Sequence, residues 1–202
     1  MTLAGLLALA ATFLVMAAVP GPAIVAVVSR GVTQGARPAL VFGLGLVLGD
    51  LAYLTAALCG MGVVAREFGW VFTCIRYAGA AYLMWLGLRS LLRPSRVPAR
   101  ALTPAGGART LASGLALNLG NPKLIVFYCG ILPAFVDLAV LTPLEGAVVA
   151  AVAMSVVYAV IAAYALLGTA GGERFGSGAA MRRMQRGAGA VMLGAGVAVA
   201  VE

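Results

Sequence analysis

Six long apolar stretches, separated by short segments that hold most of the charge, constrain this chain more than any other feature. They run roughly over residues 3–28, 39–65, 70–92, 111–136, 142–168 and 187–201. A spanning helix needs about 20 predominantly apolar residues to cross a hydrocarbon core about 30 Å thick. All but the last stretch reach that length. Within such a core every backbone N–H and C=O must find its partner inside the protein, which selects helices. The expected fold is all-α: a polytopic membrane protein with six transmembrane helices, built as one transmembrane domain over 1–202. Composition agrees. Of the 202 residues 63% are hydrophobic and 10% charged, against about 25% charged in a soluble domain. The chain contains no His, which removes Ser-His-Asp triads and His proton relays, and no catalytic residue is assigned. The first stretch is expected to be a retained helix, because no cation precedes Arg30 as a signal peptide would require.

The net charge of +8 does not indicate nucleic acid, because the cations are scattered among apolar runs. They follow the positive-inside pattern instead. Loop one holds Arg30 and Arg37, loop three Arg93, Arg96, Arg100 and Arg109, and loop five Arg174, Arg182, Arg183 and Arg186. Loops two and four offer only Arg66 beside Glu67, and Asp137 with Glu145. The odd-numbered loops are therefore expected to be cytoplasmic and both termini outside, or the N-terminus inside, with the rest unchanged, if the first stretch does not span. Cys59, Cys74 and Cys129 fit no metal-ligand spacing, so they read as small packing residues and no metal or cofactor is implied.

The segment 93–110 contains Pro94, Pro98, Pro104, Gly106 and Gly107 among its arginines. It cannot bury a core and reads as a solvated cytoplasmic linker. It divides the chain into a first repeat of about 1–92 and a second of about 111–202. Three helices per half require opposite orientations if the halves are related. Arg76–Leu83 and Arg186–Leu193 agree at five of eight positions, and Asp50–Tyr53 aligns with Ser155–Tyr158 through the tyrosine. Proline placement matches as well, with Pro20-Gly21-Pro22 in the first stretch and Asn121-Pro122 in the fourth. The expectation is two inverted three-helix repeats. Interrupted helices at matching positions of inverted repeats mark the substrate sites of secondary transporters. The reason lies in the backbone. Proline has no N–H, so Pro20 and Pro22 strip the carbonyls of Met16 and Ala18 of their helical donors, and Pro122 does so for Asn118. Such carbonyls must bind protein, water or a ligand.

Two charges lie deep within spans. Asp50 is about 17 Å into the second and Lys123 about 18 Å into the fourth, at 1.5 Å per residue. A charge at the bilayer centre costs at least about 2.5–3.5 kcal/mol, faces the bundle interior and marks function by default. Asp50 is the candidate proton carrier and Lys123 its candidate counter-cation. A fixed structural ion pair between them is the alternative. Gly45 and Gly49 form a GxxxG pattern that permits close helix approach.

The chain resembles the LysE/RhtB family of amino-acid exporters. The resemblance rests on Pro20-Gly21-Pro22, Gly31 with Gly35-Ala36-Arg37, Gly49-Asp50, and Tyr77 through Gly87. It continues through Asn118-Leu119-Gly120-Asn121-Pro122-Lys123, Phe127 and Leu132–Asp137. It implies a multi-pass efflux carrier of the bacterial cytoplasmic membrane, coupled to protons, for amino acids or close derivatives. The positions it carries over are Pro20, Gly21, Pro22, Asp50, Asn118, Asn121, Pro122 and Lys123. Ala23 departs from the pattern, where many members have a polar residue such as Asn. The implied partners are an amino acid, protons and the lipid bilayer, with a homo-oligomer left open. A metal or cation exporter, a channel and a structural membrane protein are the alternative readings.

Overall fold

The computed structural model describes residues 3–19, 21–67, 69–92, 106–121, 142–177, and scattered helical residues between 123 and 132 and between 182 and 200. Pro20, Pro122 and most of the linker, 93–105, lie outside the described residues. All described elements are helices: α1 (Leu3–Ala18), α2 (Pro22–Gln34), α3 (Ala36–Glu67), α4 (Gly69–Leu92), α5 (Gly107–Leu119) and α6 (Pro143–Ser177). The all-α expectation holds for these residues. Two of the helices are long and apolar enough to cross a membrane, over Ala36–Leu58 and Pro143–Gly171. The pair Gly5–Ala18 and Pro22–Gln34 makes a third if it forms one span bent by 64°.

The helix ends follow from local chemistry. α2 starts with Pro22 at its first turn behind an extended Gly21, where a missing N–H does no harm. α6 opens with a capping box. Glu145 Oε2 accepts the Thr142 N–H at 3.0 Å, and the Glu145 N–H donates to Thr142 Oγ1 at 3.3 Å. The first loop differs from expectation. α2 runs to Gln34 and α3 begins at Ala36, so a single residue, Gly35, makes the connection with φ of 87°. That left-handed backbone is open to glycine at no steric cost. Arg30 and Arg37 therefore sit in helices rather than in a loop. Arg30 is accommodated there by donating to Gln34 Oε1 and Ser113 Oγ, with its guanidinium 4.4 Å from the centre of the Phe42 ring.

Polarity is arranged opposite to that of a soluble protein. Leu44, Leu48, Trp85, Leu144, Leu166 and Leu167 face outward, while Asp50, Asn118, Asn121 and Lys123 are buried. With apolar groups on both sides, hydrophobicity alone does not choose which helix faces meet, so close backbone contact takes on that task. Glycines provide it. A Cβ on Gly45 would run into the Leu111 carbonyl, and one on Gly114 into the Phe42 carbonyl, so α3 and α5 cross backbone against backbone. α2 and α6 meet likewise: a Cβ on Gly31 would lie 2.7 Å from the Ala165 oxygen, and one on Gly168 2.9 Å from the Val28 oxygen. Gly49, the other half of the GxxxG pattern, faces Asn118, with 2.8 Å from an added Cβ to the Asn118 Cβ.

Gly45→Ala should therefore separate α3 from α5 and lower stability by about 2–3 kcal/mol, in the range of overpacked cores. Gly107→Ala, with nothing within 4 Å of the new Cβ, should be neutral or slightly stabilising. Thermal unfolding of both variants in detergent checks this, and equal melting temperatures would contradict the assigned crossing.

Candidate functional site

The two helix interruptions meet. The first lies between α1 and α2, at Val19–Gly21. The second follows α5, at Gly120–Asn121. Lys123, just past the second, donates from Nζ to the carbonyls of Met16 at 2.7 Å and Val19 at 3.0 Å in the first. Met16 is the residue whose helical donor Pro20 removes. The Ala18 carbonyl, deprived by Pro22, accepts from the Tyr164 hydroxyl at 2.7 Å. Both carbonyls expected to lack helical partners at the first break are thus satisfied by side chains from the second half of the chain.

The second break resolves differently. The Asn118 carbonyl, expected to lose its donor to Pro122, accepts the Asn121 N–H at 3.0 Å in a tightened turn. Asn121 then caps the residues that follow, its Oδ1 accepting the Lys123 N–H at 3.2 Å. That leaves the Leu119 carbonyl without its usual donor, and the Tyr53 hydroxyl supplies one at 2.5 Å. A tyrosine on α3 therefore serves the second break and a tyrosine on α6 the first.

Asp50 is 3% exposed on α3. Its Oδ2 accepts from Asn118 Nδ2 at 2.9 Å and its Oδ1 from the Tyr128 hydroxyl at 3.0 Å. The second Nδ2 hydrogen of Asn118 goes to the Leu46 carbonyl at 2.5 Å, which fixes the orientation of the amide. Tyr128 is held by stacking on Tyr53, with ring centres 6.0 Å apart, and by Phe13 and Phe127. The hydrogen bonds of Asp50 and Lys123 thus go to different partners, and neither is to the other. The fixed ion pair is not the arrangement seen.

Asp50 and Lys123 nevertheless line one cavity of about 40 Å³, together with Gly21, Asn118 and Asn121. A space of that size is large enough for a water molecule. The remaining lining is aliphatic, including Ile24, Leu46, Leu124, Val157 and Ile161. Ala23 and Ile24, in the first turn of α2, also line it, and that helix start carries no side-chain cap. Of the expected site residues, Gly21, Asp50, Asn118, Asn121 and Lys123 are brought together. Pro22 starts α2 but does not line the cavity, and Pro20 and Pro122 lie outside the described residues. Sequence reasoning missed Tyr128 and Tyr164. Among the described residues no three His, Cys, Asp or Glu side chains cluster as a metal site would require, and Cys74 is exposed on α4.

The faces of α3 and α6 show a common pattern. Leu46, Asp50 and Tyr53 turn to the cavity and the second break, and Val157, Ile161 and Tyr164 to the cavity and the first. Each member of the second set lies 111 residues after its counterpart. The expected alignment of Asp50 with Ser155 does not fit, because Ser155 is exposed.

The LysE type translocator family pattern matches residues 14–202. An uncharacterized membrane protein of Synechocystis sp. is 30% identical over 95% of this chain and 93% of its own length. A leucine efflux protein of Enterobacter sp. is 32% identical over 60% of this chain and 58% of its own. A threonine efflux protein of Escherichia coli (strain K12) is 31% identical over 58% of this chain and 59% of its own. No solved structure matches.

Tyr128→Phe removes one donor from Asp50 while keeping the ring, and should lower stability by about 1–3 kcal/mol. Asn118→Ala strips donors from two buried acceptors and should lower it by about 2–4 kcal/mol. In an Asp50→Leu background the Tyr128→Phe loss should largely vanish. Chemical unfolding of the set in detergent measures the coupling, and an unchanged Tyr128→Phe effect would show that Asp50 is not its partner.

Proposed function

This chain belongs to the LysE type translocator family, and from that premise we propose that it exports amino acids or close derivatives from the cytoplasm, driven by the proton gradient. A member of this family is a membrane transporter rather than an enzyme. The observation that carries the proposal is the meeting of both helix breaks with Asp50 and Lys123 around one cavity. An amino acid needs an acceptor set for its ammonium and a donor set for its carboxylate. The carbonyl end of α1 supplies the first. Lys123 and the uncapped start of α2 supply the second, since a helix N-terminus favours an anion. The aliphatic lining suits an aliphatic side chain and gives a charged one no partner, which agrees with leucine as the substrate named for one relative.

Asp50 is the proton site in this reading. It is the carboxylate of the cavity, and its hydroxyl and amide partners hold it in place in either protonation state. Protonation from outside removes its charge from the cavity, loosens the hold on a cationic group there, and couples release to proton entry. The surrounding architecture is six spans in two inverted repeats, with α3 and α6 as equivalent helices and the tyrosines Tyr53 and Tyr164 as equivalent residues. It lies in the bacterial cytoplasmic membrane with the basic odd-numbered loops inside.

The test is efflux from cells preloaded with labelled leucine and other amino acids, with and without an uncoupler. Wild-type protein should give uncoupler-sensitive export of at least one amino acid. Asp50→Asn should insert at normal levels and lose proton-driven export. Full export by that variant would remove the coupling role. Uncoupler-insensitive passive flux would indicate a channel instead.

A further inference from the structure

The hydrogen bonds of Lys123 describe a seat for an ammonium group. Two backbone carbonyls at the end of α1, Met16 and Val19, hold the Nζ at 2.7 and 3.0 Å. Both residues line the cavity. An ammonium has three N–H donors, so two are used here and one is left for a further partner. The α-ammonium of an amino acid has the same charge, the same three donors and the same preference for carbonyl oxygen. The Lys123 ammonium rides on a flexible four-carbon stem, which passes beside Gly21. An added Cβ at Gly21 would lie 3.8 Å from the Lys123 Cδ.

We propose that Lys123 holds the substrate's place in the empty carrier: a bound amino acid puts its α-ammonium on the Met16 and Val19 carbonyls, and the displaced Lys123 turns to its α-carboxylate. This rests on the amino-acid export reading and narrows it to substrates that are zwitterions at the α-carbon. The restriction follows from charge. A zwitterion adds no net charge to the buried cavity and satisfies every group it disturbs. An amine without a carboxylate adds a second cation where Asp50 is already engaged by Asn118 and Tyr128, and an uncompensated buried charge is strongly unfavourable. An acid without an amine draws Lys123 away and leaves two carbonyls bare.

The experiment measures equilibrium binding of leucine, 3-methylbutylamine and 4-methylpentanoate to the full-length protein in nanodiscs. The three ligands share one side chain and differ only in their charged groups. Wild-type protein should bind leucine, and each of the others at least about tenfold more weakly, as expected for loss of one charge-assisted contact. Lys123→Met empties the seat without adding charge. It should weaken leucine and tighten 3-methylbutylamine by about tenfold each, inverting the preference. Equal binding of amine and leucine by the wild type, which needs no variant to fold, would overturn the proposal. So would an unchanged or weaker amine affinity in a folded Lys123→Met protein that follows leucine binding by the wild type. Wild-type protein that binds none of the common amino acids removes the export reading itself, and this one with it.

Discussion

The rest of the structure depends on a backbone carbonyl in an apolar medium that has lost its donor. In water such a group is solvated at no penalty. In a membrane bundle it must be answered from within the protein. The sequence places prolines where they disarm Met16 and Ala18, and the structure answers with Lys123 and Tyr164. Both answers come from the opposite half of the chain. The same contacts therefore hold the halves together and place the cation in the cavity, so fold and site are one set of hydrogen bonds.

Glycine contacts set the distances within which those bonds form. α5 lies against α3 through Gly45 and Gly114, and Gly49 leaves room for the Asn118 amide beside Asp50. A larger residue at any of the three pushes Asn118 away from the carboxylate and leaves two acceptors without donors. Close-packed, low-dielectric surroundings strengthen each bond that is made and raise the penalty for each that is not. This accounts for a polar cluster that is small and enclosed by aliphatic and aromatic side chains.

Asp50 and Lys123 were legible in the sequence because a charge in an apolar run has no bland explanation. The carbonyls of Met16 and Ala18 were legible as well, since the four-residue spacing of helical bonds names the group that each proline deprives. What answers a carbonyl was not legible, because it lies across the bundle. Tyr128 and Tyr164 stood in apolar stretches where a tyrosine raises no alarm. Arg30 was misplaced because a one-residue connection at Gly35 leaves no loop for it. The alignment of Asp50 with Ser155 followed one shared tyrosine, whereas the pattern of burial pairs Asp50 with Ile161 and leaves Ser155 exposed. Identity between small residues says little in a chain with 27 glycines.

Gly35 has a mechanical consequence. A connection of one residue between α2 and α3 leaves no slack, so the end of α2 and the start of α3 stay together and the two helices form an elbow. The upper arm begins at the first break, against the carbonyls that grip Lys123, and the forearm carries Asp50. A displacement of the end of α2 is therefore carried to the start of α3. The two charged groups do not touch, yet one short covalent path joins the cation's seat to the carboxylate's helix.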